Sequence, residues 1–261
     1  MTEITDINDP RIALYRTLRR TPQSHIDNDV FVAEGRLVFE RLMHSSVRVR
    51  SVFALPEFYE EYSELINNKN IPEDNQYFAG IELMNQIVGF RLHSGIMAIG
   101  EIPAPIDYRS LEPPFVMMNA IVDSENVGAI VRNCAGFGIR SIVHDNATSS
   151  PWLRRAVRVS MGGVFYTHIS SVTEISDCYE YFYKNNIKII AAEITPKSIP
   201  LNEFRFPEKF ALVFGSEGPG IDPAIVESAD HVVHIPISAN IPSINVAAAS
   251  GIFLHRAGLI I

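Results

Sequence analysis

From residue 115 onward, short and almost continuous apolar runs alternate with segments of helical spacing, and this rhythm constrains the fold more than any other feature. The runs lie at 115–122, 141–144, 164–169, 187–192, 210–214 and 231–235. Helical patterns fall between most of them, at 127–137, 151–161, 172–183 and 223–229, and a last one spans 246–257. Strands that are apolar on both faces and separated by helices form a parallel sheet covered on both sides. In such a sheet ligands bind beyond the carboxyl ends of the strands, so chemistry is expected in the turns that follow the runs.

Upstream the pattern changes. Pro103, Pro105, Pro113 and Pro114 fall within 101–114; proline fixes φ and lacks an N–H donor, so this stretch is expected to be an extended linker between two folding units. Before it, strands are predicted at 30–32, 48–55 and 95–100, with a helix over 35–44. The expected organisation is a small α/β domain over 1–100, a linker over 101–114 and the parallel-sheet domain over 115–261.

The 261 residues carry 22 Lys+Arg against 30 Asp+Glu, a formal net charge of −8, and are 47% apolar. This composition excludes a disordered or collagen-like chain. No apolar stretch reaches the roughly 18 residues of a membrane span. The opening Met1-Thr2-Glu3-Ile4-Thr5-Asp6 is acidic and lacks the form of a secretory or transit leader. Cys134 and Cys178 are the two cysteines, too few for a disulfide framework or a multi-cysteine zinc site. His231 and His234 are three apart on a predicted strand and therefore on opposite faces, so no shared metal is expected. The expected setting is cytoplasmic, with neither membrane nor metal.

Three turns carry the functional signal. The first follows 115–122 and opens a helix, with Asp123 or Ser124 as cap, then Asn126, Gly128, Arg132, Phe137 and Gly138. By itself this is equally a capped helix with a solvated arginine. The second, Gly215-Ser216-Glu217-Gly218-Pro219-Gly220, lets backbone approach a ligand closely, yet it lacks the order of a dinucleotide fingerprint and the lysine of a P-loop. The third runs from Ile235-Pro236 to Ser243-Ile244-Asn245-Val246, with Ser243 as a candidate cap for an Ala/Ser-rich helix.

In this order the three turns resemble the three signature motifs of the SpoU (TrmH-type) branch of the SPOUT RNA methyltransferases. Asn126, Gly128, Arg132, Phe137 and Gly138 stand at the spacing of the first motif; 215–220 looks like the second; Ile235-Pro236 and Ser243-Ile244-Asn245-Val246 look like the third. Phe31-Val32-Ala33-Glu34-Gly35 before a helix is similar to that family's L30e-like substrate-binding domain.

The resemblance implies a SPOUT-type α/β fold whose C-terminal segment is threaded into a trefoil knot, a rare exception to unknotted topology. It further implies S-adenosylmethionine held in the knot, a homodimer completing the site, and methylation of a ribose 2′-hydroxyl in rRNA or tRNA. Arg132 matches the family's catalytic arginine, Glu217 its acidic motif residue, and Asn126, Ser243 and Asn245 the polar residues around them. Gly215, Ser216, Glu217, Gly218, Ile235, Ile237, Ser243, Ile244 and Asn245 fall in the cofactor-holding loops. Three positions depart from the pattern: Ile237 where Met is common, Ala239 where Gly is common and Ala247 where Ser often follows Asn-Val. The last two leave open an alternative, a weakly active or inactive RNA-binding assembly factor that retains the knotted fold.

Methyl transfer from a sulfonium is an in-line displacement that needs alignment and loss of the hydroxyl proton. A guanidinium stays protonated at neutral pH, so Arg132 is expected to bond a phosphate or stabilise the developing alkoxide. Glu217, a substrate phosphate or water is left to take the proton. Cys134 reads as a buried, inert thiol, and Trp152 either as a base-stacking platform or as a core or interface residue.

The negative total does not exclude an RNA partner, because the charges segregate. Glu57, Glu60, Glu61, Glu64, Glu73, Asp74 and Glu82 face only Lys69 within 55–85, whereas Arg132, Arg140, Arg154, Arg155 and Arg158 face only Asp145 within 132–158. Arg11, Arg16, Arg19 and Arg20 form a second basic group. Arginine favours phosphate, so Arg11, Arg19, Arg20, Arg132, Arg154 and Arg155 are the expected RNA contacts.

Overall fold

The computed structural model describes residues 1–16, 18, 23–92, 94–238 and 240–258, and the chain divides into two compact units. The first contains Met1–Pro103 together with Trp152–Phe165; the second contains Ala104–Pro151 and Tyr166–Ile261.

In the first unit, β1 (Thr2–Glu3), β2 (Val30–Glu34), β3 (Val49–Ala54), β4 (Gln76–Phe78) and β5 (Ile96–Glu101) make a sheet ordered β1-β4-β3-β5-β2. β5 is antiparallel to β2 and β3. The helices are α1 (Gln23–Asp27), α2 (Arg36–His44), α3 (Pro56–Glu61), α4 (Ser63–Asn68) and α5 (Ile81–Val88). Val38, Phe39, Leu42 and Met43 recur at helical spacing and are buried as α2 packs on β2 and β5.

The second unit is a seven-stranded sheet in the order β10-β12-β9-β11-β6-β7-β8, with every pairing parallel. Its strands are β6 (Phe115–Met118), β7 (Ser141–Asp145), β8 (His168–Val172), β9 (Lys188–Ala192), β10 (Ile199–Pro200), β11 (Phe210–Phe214) and β12 (His231–His234). The later helices are α6 (Ser124–Gly136), α7 (Arg154–Val159), α8 (Tyr179–Lys184), α9 (Pro223–Ser228) and α10 (Val246–Arg256). Every residue of β6 and β11 is buried, as expected for strands covered on both faces. From β6 the chain moves on to β7 at one side, whereas β12, the strand after β11, lies on the other. Their carboxyl ends therefore meet at a topological switch point, where crevices form in open parallel sheets. Among the described residues no helix is long and apolar enough to cross a membrane.

Several sequence expectations are corrected. The run at 164–169 is not one strand: Val164 and Phe165 form part of a 3-10 turn, Gly163–Tyr166, and β8 begins only at His168. Gly162 at φ +76° turns the chain, and Phe165 joins Phe31 and Trp152 in an aromatic cluster of the first unit. Residues 152–165, placed by sequence in the 115–261 domain, thus belong to the first unit. The segment 101–114 is no free linker either, because Tyr108 and Leu111 are buried in the core of the second unit and Tyr108 Oη donates to the Asp177 carbonyl at 2.8 Å. The run at 115–122 stops being a strand at Met118, since Ala120 takes a left-handed φ of +54°.

Candidate functional site

That left-handed residue belongs to a turn organised by Asp145, the last residue of β7. Its carboxylate, 4% exposed, accepts the Ala120 N–H, the Asn119 amide at 2.8 Å, and the Thr148 N–H and hydroxyl at 2.9 and 2.7 Å. Buried charge is tolerated when so fully hydrogen-bonded. Asn119 Oδ1 in turn accepts the Asp222 N–H at 2.9 Å, which ties the turn after β6 to the loop after β11. Asp123 then caps α6 by accepting the Glu125 N–H at 2.7 Å.

The glycine-rich turn after β11 closes on itself. Ser216 N–H donates to Gly220 O at 3.2 Å and Gly220 N–H to Ser216 O at 3.1 Å. The closure is so tight at Gly215 that a Cβ there would lie 2.3 Å from Ile221 N; only glycine fits. Gly218 adopts φ +94°, a conformation that L side chains rarely enter. From just past the end of the neighbouring strand β9, Glu193 Oε2 accepts the Ile221 N–H at 3.0 Å and holds the base of the turn.

The third turn ends at Asn245, not Ser243, as the cap of α10: Asn245 Oδ1 accepts the Ala247 N–H at 2.8 Å. With the oxygen fixed by the cap, the Asn245 amide nitrogen must face the opposite way. It donates to Glu217 Oε1 at 2.5 Å and to Asn126 Oδ1 at 3.0 Å. Asn126 Nδ2 donates to the same Glu217 oxygen at 2.9 Å. The three motifs thus contribute one residue each to a closed polar triangle. α10 also packs on α6, where Asn133 Nδ2 donates to the Ala247 carbonyl at 2.9 Å and to Ser250 Oγ at 2.8 Å. Ala247 is therefore engaged through its backbone.

Beside the triangle lies a cleft. Gly215, Ser216, Glu217 and Gly218 line one wall; Ile235, Ile237, Ser243 and Ile244 line the other; Phe214, Val246 and Phe253 add apolar surface. These include every residue assigned to cofactor-holding loops except Asn245, which borders the cleft through its bond to Glu217. The Glu217 and Gly218 N–H groups make no hydrogen bond among the described residues and remain as donors. Ala239 lies outside the described residues. Sequence reasoning missed Glu193 and His234, both lining the cleft, as well as Asp145 and Asn119. All four sit at or just past carboxyl ends of strands, a position that itself carries the signal.

Arg132 is exposed on α6 and forms no hydrogen bond or ion pair among the described residues. Six residues beyond Asn126, it points about 120° away around the helix, so the triangle does not include it. Of the other expected RNA contacts, Arg154 requires correction. Its guanidinium is ion-paired with Glu34 at side-chain exposures of 14% and 4%, stacks over Phe90 and donates to the Leu18 carbonyl at 3.1 Å, all within the first unit. Arg11 pairs with Asp9, and the hydrogen bond from Arg11 pulls the Asp9 carboxyl down to about 2. Arg155 is exposed; Arg19 and Arg20 lie outside the described residues. Trp152 is half-buried and packs on Phe31. Burial pushes the Cys134 thiol up, consistent with an inert side chain. His231 packs on Phe204, while His234 Nδ1 lies 2.9 Å from Ser198 Oγ.

Residues 113–255 match the model of the SpoU rRNA Methylase family. An uncharacterized tRNA/rRNA methyltransferase of Mycobacterium tuberculosis is 28% identical, over 97% of this chain and 90% of its own. The 23S rRNA (guanosine-2'-O-)-methyltransferase RlmB of Blochmanniella floridana is 30% identical, over 72% of this chain and 76% of its own. In fold the chain is similar to the AdoMet-bound rRNA methyltransferase of Sinorhizobium meliloti, with a TM-score of 0.84 at 20% identity, covering 98% of this chain and 97% of that one.

Proposed function

The chain belongs to the SpoU rRNA Methylase family, and from that membership we propose that it transfers the methyl group of S-adenosylmethionine to a ribose 2′-hydroxyl of ribosomal or transfer RNA. The observation that carries the proposal is the Asn126–Glu217–Asn245 triangle, whose Glu217 lines the cleft of mixed apolar and polar residues. The cleft fits the cofactor's chemistry. Apolar side chains suit an adenine ring, free backbone N–H groups suit its polar atoms, and two carboxylates with no Lys or Arg among the lining residues suit a cation. When bound, the cofactor supplies an electrophilic methyl group on sulfur.

The protein's own residues do the rest. The triangle fixes Glu217, committing Oε1 to two amides and leaving Oε2 to receive the ribose proton. Arg132, permanently charged, stabilises negative charge on the substrate. Because Arg132 lies away from its own chain's triangle, the proposal includes a homodimer in which a second copy completes the site. It also includes the knotted C-terminal segment, an L30e-like RNA-binding role for the first unit, and a cytoplasmic setting. The test is transfer of tritium from labelled cofactor to RNA, followed by nuclease digestion and mass spectrometry. Label on a ribose is expected; label on a base, or RNA binding without transfer, overturns the proposal.

A further inference from the structure

We propose that Glu193 tunes the cleft to hold the sulfonium cofactor in preference to its thioether product, an inference that rests on the reaction proposed above. In that reaction the S–CH3 bond breaks with its electron pair left on sulfur, the methyl forms a bond to the ribose oxygen, and the hydroxyl proton departs. The ligand before and after transfer therefore differs by one methyl group and by one positive charge at sulfur.

The wall of the cleft is built to sense that difference. Its ionisable lining residues are Glu193, Glu217 and His234. Neither carboxylate has an ion-pair partner among the described residues; Glu217 is bonded by two neutral amides, and Glu193 by backbone N–H groups alone. Glu193 Oε1 accepts the Ile194 N–H at 2.9 Å and Oε2 the Ile221 N–H at 3.0 Å. Its own N–H is held by Val233 O at 3.1 Å. Anchored at both oxygens, this half-buried carboxylate keeps its charge in the wall of the cleft, where it attracts a cation. His234 does not oppose it as a neutral ring. Ser198 Oγ directs its single proton to the Thr195 carbonyl at 2.7 Å, so the neutral imidazole donates from Nδ1. The attraction acts before transfer and vanishes when sulfur becomes neutral, which favours product release.

Two substitutions separate charge from scaffolding. Glu193→Gln keeps an acceptor for the Ile221 N–H but removes the charge; Glu193→Asp keeps the charge but is too short for that bond. Calorimetric titration of the full chain compares S-adenosylmethionine with S-adenosylhomocysteine. The expected result for Glu193→Gln is about five-fold weaker binding of the sulfonium relative to the thioether, shrinking in ~0.5 M salt. Glu193→Asp weakens both ligands together and leaves their ratio within about two-fold of wild type. An unchanged ratio in Glu193→Gln, or the same ratio shift in both variants, overturns the inference. Wild-type protein that binds neither ligand overturns the cofactor assignment itself, and this inference with it.

Discussion

Asn245 uses the two ends of one amide for two tasks: its oxygen caps α10 at Ala247 N, 2.8 Å away, and its nitrogen donates to Glu217 Oε1 at 2.5 Å. The stability of a helix start and the position of the motif carboxylate are thereby coupled through a single side chain. Asn245→Asp keeps the capping oxygen but turns a second carboxylate oxygen toward Glu217. Thermal melting is expected to show a near-native midpoint, while the transfer assay falls by about ten-fold or more, the scale of one charged hydrogen bond replaced by repulsion. Asn245→Ala is expected to cost about 1 kcal/mol of stability as well.

Gly215→Ala places a methyl 2.3 Å from Ile221 N, against backbone that cannot rotate away. The glycine turn must open, and a loss of about 1–3 kcal/mol is expected in chemical denaturation. Calorimetry is expected to show no cofactor binding in the variant.

Arg132 is exposed and has no hydrogen bond or ion pair among the described residues, so its replacement is expected to leave the fold alone. If it stabilises charge, Arg132→Lys retains part of the transfer rate and Arg132→Ala loses nearly all of it. Equal and complete loss in both, with RNA and cofactor binding intact, refutes that role.

Arg154 and its neighbour Arg155 are expected to behave oppositely. Arg154→Ala leaves Glu34 buried without its partner, a change worth about 3–5 kcal/mol. Trp152, which packs on Phe31 in the same unit, reports the loss as an earlier transition in fluorescence-monitored unfolding. Arg155→Ala is expected to leave that transition in place and to weaken RNA binding with a shallower salt dependence.

His144 lies on β7, and burial holds its ring below the ordinary value of 6.5. The unfolded chain takes up a proton that the folded chain refuses, so stability falls as pH drops below the ordinary value. Replacing His144 with Gln is expected to flatten the slope of stability measured between about pH 7 and pH 5.

The amino-acid order alone marked most of the parallel strands, most of the helices between them and the three turns, because apolar periodicity records which faces of each segment are buried. Through their resemblance to the SpoU motifs, the three turns also marked eight of the residues that line the cleft. Pairings across the chain were decided by tertiary structure. Asn126 and Glu217 are 91 positions apart, and they meet because β6 and β11 are neighbours in the sheet. Arg154 reads as a phosphate ligand in isolation, yet Glu34, 120 positions earlier, takes its charge. Charge and spacing do not reveal such partners: an ion pair depends on which strands the fold sets side by side. Glu193 stands in a segment with no motif around it. Its place beside the glycine turn follows from the register of β9 against β11, and that register exists only once the sheet has formed.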